Sequence, residues 1–273
     1  MLADADKDRF LATLFAPAPV RAALYALYAF NVEIARVREL VHEPIAGEIR
    51  LQWWTDALGG SRAGEAAAHP VASALRNTMA QYQIPAERLT TLIDARRFDL
   101  YNEPMGTLAD LEAYADRTSA NLILFAARIL AEGRELEIGD LARHAGRAYA
   151  IAGLLKAFPA HAARGQLFVP LEILQRHGLD FRTAVRKPAT PQLHAALAEA
   201  RLIARRHLGQ ARSFISGAPA AVLPAVLPFA LVGPTLARME RRGYDPFVPV
   251  GIAAWQRQWL IWRAARRPQR IFE

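Results

Sequence analysis

The stretch RAALYALYAFNVEIARVREL, residues 21–40, decides the fold class. Its apolar residues recur at three- and four-residue spacing, which predicts an amphipathic α-helix that Pro44 ends. The i, i+4 spacing would stack Ala35 over Glu39 on one face of this helix. Helical periodicity continues along the chain, and the sequence has no clean alternating run and no Asn-Gly or Asp-Gly turn. The sequence therefore predicts an all-α protein.

The same pattern predicts further helices and one compact bundle. Together with the first, the predicted helices lie at residues 21–40, 45–58, 71–82, 86–100, 108–132, 137–158, 170–177, 190–216, 220–240 and 249–266. The breaks at 59–65 and 186–191 are short, and neither has the long polar composition of an interdomain linker. We therefore expect a single helical-bundle domain over residues 1–273.

Composition limits the classes of partner and chemistry. The chain carries 34 Lys and Arg against 26 Asp and Glu, a formal net charge of +8. Such a balance favours diphosphates, nucleic acid or an acidic membrane surface, although a solvated basic surface explains it equally well. No cysteine occurs, which excludes disulfides, thiolate catalysis and cysteine-ligated metal sites. The acidic, polar start predicts no secretory signal, so a cytoplasmic location is expected.

Two segments raise the question of a membrane. Residues 217–234, GAPAAVLPAVLPFALVGP, are uncharged and reach transmembrane length, but four prolines favour a buried helix with interrupted ends. The tail WQRQWLIWRAARRPQRIFE combines Trp255, Trp259 and Trp262 with several arginines. It suits an interfacial helix on an anionic membrane or a docking site on a partner, and equally a final helix packed on the bundle. Exposed tryptophans would favour docking.

Common catalytic and nucleic-acid signatures are absent from the sequence. There is no nucleophile elbow, phosphate loop, dinucleotide fingerprint or HExxH motif. The seven histidines show no pairing at i, i+4, and we expect surface or helix-end positions for them rather than metal ligation. The arginines are spread along helices without an RNA-binding aromatic motif, so no nucleic-acid partner is expected.

Three passages together resemble the squalene/phytoene synthase family of head-to-head prenyl transferases. They are RAALYALYAFNVEIARVRELVHEPIAGEIRLQWWTDAL at 21–58, LEAYADRTSANLILFAARIL at 111–130 joined to HAGRAYAIAGLLKAFPAHAARGQLFVPLEILQRHGL at 144–179, and ARSFISGAPAAVLPAVLPFALVGPTLARMERRGYDPFVP at 211–249. The resemblance implies a helical bundle with the isoprenoid synthase fold. In active members it implies two Asp-x-x-x-Asp motifs on facing helices, which hold magnesium against a diphosphate substrate.

Matched position by position, the resemblance places the first pair on Ala35 and Glu39 and the second on Ala157 and His161. Three of the four expected carboxylates are thus replaced by other residues. No Asp or Glu occurs anywhere in residues 141–171. The resemblance therefore implies that no catalytic residues and no metal site remain at these positions.

Several other residues are candidates for an anion site or a lipid cavity. The candidates are Arg36, Arg38, Arg147, Lys156, Arg164, Tyr28 and Trp53. The aromatic residues around Trp53 either line a prenyl-sized cavity or pack as core, and their helical spacing favours core. Pro159 is expected to break or kink the helix around Phe158.

Within this family the chain most resembles a non-catalytic branch, the assembly factors of respiratory complex I. The passages AFNVEIARVRE, IRLQWW, FVPLEILQRHGL and ARSF carry that resemblance. It implies complex I subunits or assembly intermediates as partners, peripheral contact with an anionic inner membrane, no cofactor, and an emptied cavity able to take an isoprenoid or lipid. The alternative is a divergent prenyl transferase that uses magnesium, Glu39 and arginines to hold prenyl diphosphates.

Overall fold

The computed structural model describes residues 2–272, and within that range it contains helices and no strands. The α-helices are α1 Leu2–Ala5, α2 Lys7–Thr13, α3 Ala18–Ala35, α4 Val37–Leu40, α5 Pro44–Gly59, α6 Ala63–Ala68, α7 Pro70–Tyr82, α8 Ala86–Arg97, α9 Leu108–Ala115, α10 Asn121–Leu130, α11 Gly139–Lys156, α12 Phe158–Ala163, α13 Leu171–Arg176, α14 Phe181–Ala184, α15 Pro191–Ile215, α16 Leu223–Val226, α17 Val232–Met239 and α18 Ala254–Arg266. The predicted all-α class is confirmed.

Short π and 3₁₀ turns extend or join several of these helices. One π-helical turn, Asp116–Ala120, lies between α9 and α10. The 3₁₀ helices are Phe98–Leu100, Ala220–Val222, Leu227–Leu231 and Pro268–Arg270. The predicted helix over 108–132 is therefore two α-helices joined by a π turn, a departure for which the local sequence gave no signal.

Most predicted helices are present, and the misses are short. α1, α2, α6, α12 and α14 were not predicted, because a helix of four to seven residues shows too little apolar periodicity to be recognised. The segment 59–65 was expected to be a loop, yet α6 starts within it at Ala63. The last helix begins at Ala254 rather than at 249, after Pro249 and Gly251.

The chain divides into two compact units, each assembled from separate stretches of sequence. The first unit comprises Met1–Tyr101, Asn121–Ile138 and Ala218–Pro228, and the second Asn102–Ala120, Gly139–Gly217 and Phe229–Glu273. In the first unit, α3 packs against α7 and α5 packs against α8. Phe30, Leu51 and Leu92 are fully buried there. The expected single domain stays a prediction.

In the second unit, α11 lies along α15 and also contacts the π turn and α17. Buried alanines line both long helices, among them Ala145, Ala148, Ala200 and Ala204. Small side chains let two helix backbones approach closely, which explains the alanine-rich sequence of this pair. The pairing brings residues far apart in sequence onto neighbouring turns.

Gly146 marks the closest approach of α11 to the π turn. A Cβ atom at this position would lie 2.6 Å from the backbone nitrogen of Ala120 and 2.7 Å from its Cα. The obstructing atoms belong to the backbone, so they cannot move aside as a flexible side chain would. Glycine is required here for packing and not for an unusual backbone conformation.

The apolar segment that reaches membrane-spanning length is largely core. Ala220–Met239 has a mean hydropathy of 1.9, and 67% of its most apolar window is buried inside the fold. Two 3₁₀ stretches interrupt the α-helical geometry on either side of α16. The predicted burial of this segment is confirmed, but the helix is also interrupted in its middle, at Leu227–Leu231, and not only at its ends.

Candidate functional site

The first pair of matched positions lies in the first unit, at the end of α3. Arg36, with φ −93° and ψ 0°, separates α3 from α4, so the helix predicted to run unbroken to Leu40 was wrong at this residue. The Glu39 N–H donates to the Arg36 carbonyl three residues earlier, which tightens the turn. The Glu39 carboxylate is about half exposed and pairs with the Arg36 guanidinium at 3.5 Å.

Two further candidates of the first unit have local partners. The Arg38 Nη1 donates to the Val41 carbonyl at 3.3 Å, across the end of α4. Tyr28 is buried, with the Arg9 guanidinium 5.7 Å from its ring centroid. Burial raises the pKa of Tyr28, so its phenol stays protonated.

The aromatic residues of α3 and α5 form a core cluster. Phe30 and Trp54 are buried and meet edge to face, with ring centroids 5.0 Å apart. Trp53 contacts the Trp54 and His69 rings, and its Nε1 donates to Glu65 Oε2 at 2.8 Å. The favoured core interpretation is confirmed for Phe30 and Trp54, while Trp53 bridges the core and a surface carboxylate.

The second pair of matched positions lies at a helix break in the second unit. α11 ends at Lys156, Ala157 precedes α12, and Pro159 occupies the first turn of α12. Proline lacks the N–H that a continuous helix needs, but it fits a first helical turn. The predicted break around Phe158 is therefore confirmed.

His161, on α12, lies against an apolar wall. Its ring packs on Phe168 at a centroid distance of 4.6 Å. Burial, with a smaller contribution from the Arg164 charge, lowers the pKa of His161 from 6.5 to about 4. The imidazole is therefore neutral at pH 7, and it cannot supply the negative charge of a carboxylate.

A small apolar pocket borders His161 within the second unit. Leu111, Ile151, Leu155 and Ala200 are among the side chains that line it. Its cavity volume of about 10 Å³ is room for about one water molecule. A prenyl chain does not fit this pocket in the conformation described.

Arg147, a candidate for an anion site, already holds two carboxylates. Its Nε and Nη2 donate to both oxygens of Asp116 at 2.8 and 2.7 Å, and its Nη1 donates to Glu112 Oε2 at 2.6 Å. The three side chains are 17%, 33% and 24% exposed for Arg147, Asp116 and Glu112 respectively. The hydrogen bond to Asp116 is the largest cause that raises the pKa of Arg147, and the charges of Asp116 and Glu112 raise it further against the lowering effect of burial. The Arg147 guanidinium therefore already has two carboxylate partners within the protein.

Two histidines extend this network, and sequence reasoning missed their contact. His207 Nε2 lies 3.2 Å from Glu112 Oε1, and His207 Nδ1 lies 3.1 Å from His144 Nδ1. Burial is the largest cause that lowers the pKa of both rings. Neutral rings fit this chain of contacts, because one Nδ1 must donate and the other must accept. His207 is buried, so the expected surface or helix-end position was wrong for it.

The family's magnesium chemistry does not fit the residues at the matched positions. Magnesium prefers several oxygen ligands, including carboxylates. Glu39 offers one such group, paired with Arg36, while Ala157 and His161 offer none. Nearby, Lys156 is exposed and Arg164 donates to Gln166 Oε1 at 3.1 Å. Within residues 2–272, no group of three or more His, Cys, Asp or Glu side chains is arranged to hold a metal ion.

Comparison with known proteins settles the family. A family model described as squalene/phytoene synthase matches residues 2–263. The chain belongs to the squalene/phytoene synthase family. Among its similar relatives is the NADH dehydrogenase (ubiquinone) complex I, assembly factor 6, of Rattus norvegicus. That protein is 29% identical over 249 residues, which are 91% of this chain and 74% of the relative.

Solved structures support the family's isoprenoid synthase fold. The squalene synthase HpnC from Alicyclobacillus acidocaldarius matches with a TM-score of 0.75 and 24% identity, over 90% of this chain and 92% of that one. A dehydrosqualene synthase in complex with ligand matches with a TM-score of 0.80 and 16% identity, over 98% and 94% of the two chains. At these identities the likeness speaks for the fold alone, and it confirms the predicted fold of the squalene/phytoene synthase family.

Proposed function

We propose that this chain is a non-catalytic member of the squalene/phytoene synthase family that acts in the assembly of respiratory complex I. The observation that carries the proposal is the set of residues at the second matched positions. The Ala157 side chain has no atom that can ligate a metal ion. The buried His161 ring beside Phe168 is neutral. The Rattus norvegicus relative, named as a complex I assembly factor and aligned with 91% of this chain, supports the same conclusion.

The residues at the matched positions argue against catalysis because of their charge. A departing diphosphate needs its developing negative charge neutralised, and magnesium held by carboxylates supplies this in active prenyl transferases. Residues 141–171 contain no Asp or Glu, so this segment offers no carboxylate to a metal. The basic residues that remain attract anions without recreating the metal clamp.

The proposed partners are complex I subunits or their assembly intermediates. This rests on the name of the relative, together with a basic chain of net charge +8 that favours association with acidic surfaces. An isoprenoid or lipid ligand is a second proposed partner class. It needs more room than the pocket beside His161 provides.

Two assays on the same variants test the proposal. The purified chain is incubated with farnesyl or geranylgeranyl diphosphate, magnesium and a nicotinamide reductant, and released diphosphate is measured against a denatured control. In parallel, the gene is deleted from its host, and assembled complex I is quantified on native gels. We expect no diphosphate release, reduced complex I after deletion, and full rescue by both the wild type and Glu39→Ala.

The two assays fail in different ways. Diphosphate release that disappears in Glu39→Ala would overturn the non-catalytic part and favour a divergent prenyl transferase with a one-sided site. Normal complex I in the deletion strain would overturn the assembly part. Because Glu39 is half exposed and its one ion pair is weak, the Glu39→Ala variant is expected to fold normally.

A further inference from the structure

α18 leaves an aromatic face uncovered within the second unit. Trp255, Trp259 and Trp262 are 67%, 49% and 47% exposed, and their spacing of four and three residues places them on one side of the helix. We call these three residues the tryptophan face. The opposite side of α18 buries Ile261 and Ala264. The helix is therefore anchored to its unit on one side and presents large apolar rings on the other.

Arginines frame the tryptophan face. The Arg263 guanidinium lies 4.7 Å from the Trp259 ring centroid, and that of Arg266 lies 5.3 Å from the Trp262 ring centroid. These cation–π contacts hold positive charge at the edge of the face. Residues 245–273 contain five arginines against Asp245 and Glu273, a formal charge of +3 in 29 residues. The surface is apolar and cationic at once.

We propose that the tryptophan face of α18 docks this protein onto an anionic lipid bilayer. Tryptophan favours the boundary between lipid headgroups and acyl chains, where its ring is buried and its N–H stays in a polar layer. Arginine side chains beside it reach the lipid phosphates. The 13 residues of α18 measure about 20 Å, which is shorter than a bilayer core of about 30 Å. The helix therefore lies on the membrane surface.

Charge decides between this occupant and a second copy of the chain. In a symmetric dimer through the tryptophan face, the same cationic segment would meet itself, and its arginines would repel. An anionic bilayer supplies the opposite charge across the whole face. Membrane docking stands independently of the complex I proposal, since it rests only on α18 and the residues around it.

The test uses co-flotation of the full chain with lipid vesicles at low salt. One vesicle set is phosphatidylcholine mixed with phosphatidylglycerol, and the other is phosphatidylcholine alone. Two variants address the two parts of the surface: Trp255→Gln/Trp259→Gln/Trp262→Gln and Arg263→Gln/Arg266→Gln. Matched controls alter exposed residues elsewhere, with Ile45→Gln/Ile49→Gln for apolar area and Arg182→Gln/Arg186→Gln for charge.

We expect the wild type and both controls to float with anionic vesicles. The triple tryptophan variant should lower the bound-to-free ratio by about tenfold or more, since each lost ring removes buried apolar area. Each arginine lost should lower this ratio by about fivefold on anionic vesicles. On phosphatidylcholine alone, the arginine variant should match the wild type. Trp53 and Trp54 remain in the triple variant, and a cooperative urea transition followed by their emission reports an intact fold.

Three results would overturn the proposal. The first is failure of the wild type to bind anionic vesicles at low salt. The second is wild-type binding by a folded triple tryptophan variant, which would place the lipid contact elsewhere. The third is a concentration-dependent dimer, or capture of a complex I intermediate, that depends on the tryptophans in a chain that does not bind vesicles. The face would then be a protein interface.

Discussion

Two regions of α11, its middle at Arg147 and its C-terminal end at Lys156, differ in how charge is balanced. In its first half, Arg147 is matched by the carboxylates of Glu112 and Asp116 at hydrogen-bond distance. At its far end, Lys156 is exposed, and His161 just beyond the break is neutral in an apolar setting. The middle region is a compensated ionic cluster, and the C-terminal region has basic and neutral side chains without an Asp or Glu. Spacing alone does not distinguish these two situations.

The comparison shows why an acidic pair at i, i+4 is weak grounds for a metal site. Glu112 and Asp116 have the Asp-x-x-x-Asp type of spacing, but a guanidinium already satisfies them. At the matched positions Ala157 and His161, the spacing is kept without the oxygen atoms. Metal binding needs carboxylates that are both present and unoccupied. Substitutions in the two regions of α11 test this difference.

The largest loss of stability is expected when Arg147, in the middle of α11, is replaced. Arg147→Met leaves two partly buried carboxylates close together without their counter-charge, and we expect unfolding free energy to fall by about 3 kcal/mol. Urea denaturation at neutral pH measures the change. A loss below about 0.5 kcal/mol would mean that water already screens these ion pairs and that the two regions of α11 differ less than described.

Arg205→Met is the matched control for that measurement. Arg205 also makes a two-point contact with one carboxylate, that of Glu240, at 2.7 and 2.6 Å. Both partners are 37% exposed, so water replaces the lost contact more easily. We expect a loss of no more than about 1 kcal/mol.

The pH dependence of the unfolding free energy tests whether His161 is neutral in the folded chain. Because the pKa of His161 is about 4 in the folded chain and 6.5 in the unfolded one, the unfolded state takes up the proton first as pH falls. This stabilising contribution is complete above pH 6.5 and is lost as the pH falls towards 4. We expect wild-type stability to drop by about 2 kcal/mol more than that of His161→Phe between pH 7 and pH 5.

The matched comparison removes other titrating groups. Burial also lowers the pKa values of His144 and His207. Protonation of these rings at lower pH reduces the stability of wild type and variant in the same direction. The difference between the two denaturation series therefore belongs to position 161. Parallel pH curves for the two proteins would contradict a buried, neutral His161.

A smaller effect is expected where the ionic and histidine contacts meet. Glu112→Gln keeps a side chain of the same shape but removes the charge shared between Arg147 and His207, and we expect a loss of about 1 kcal/mol. The Glu112 carboxylate opposes the lowering of the His207 pKa, so the variant should move that pKa further down. NMR titration of the His207 ring measures the shift, and an upward shift would contradict the contact.

The smallest effect is expected for Ala157→Asp. The residue precedes α12, where an aspartate lies near the N-terminal end of the helix and beside the positive charge of Lys156. We expect the unfolding free energy to stay within about 0.5 kcal/mol of wild type, measured by urea denaturation with Ala157→Asn as the uncharged control. A large loss would show that packing, and not only the absence of metal, excludes a carboxylate here.

Local signals in the sequence predicted most of the fold. Apolar periodicity placed the long helices, and Pro159 indicated the break between α11 and α12. The break at Arg36 and the π turn at 116–120 were missed, because neither contains a proline or glycine that would announce it.

The contacts of the candidate site were only partly predictable. The sequence analysis proposed the matched positions from a resemblance, and it did not single out the acidic pair Glu112 and Asp116 on the predicted helix 108–132. The pairing of Arg147 with Asp116 spans 31 residues, and that of His207 with Glu112 spans 95. Such contacts depend on how α9, α11 and α15 pack, and no local pattern encodes this packing.

The close contact at Gly146 has a consequence for how this chain can diverge. Alanine, the mildest replacement for glycine in a helix, would place its methyl group 2.6 Å from the Ala120 nitrogen. A change at 146 thus becomes tolerable only when the backbone at 120 has already shifted. Because every residue type at 120 has these backbone atoms, a substitution at 120 alone does not relieve the contact, and in an alignment of related chains we expect glycine to be retained at 146.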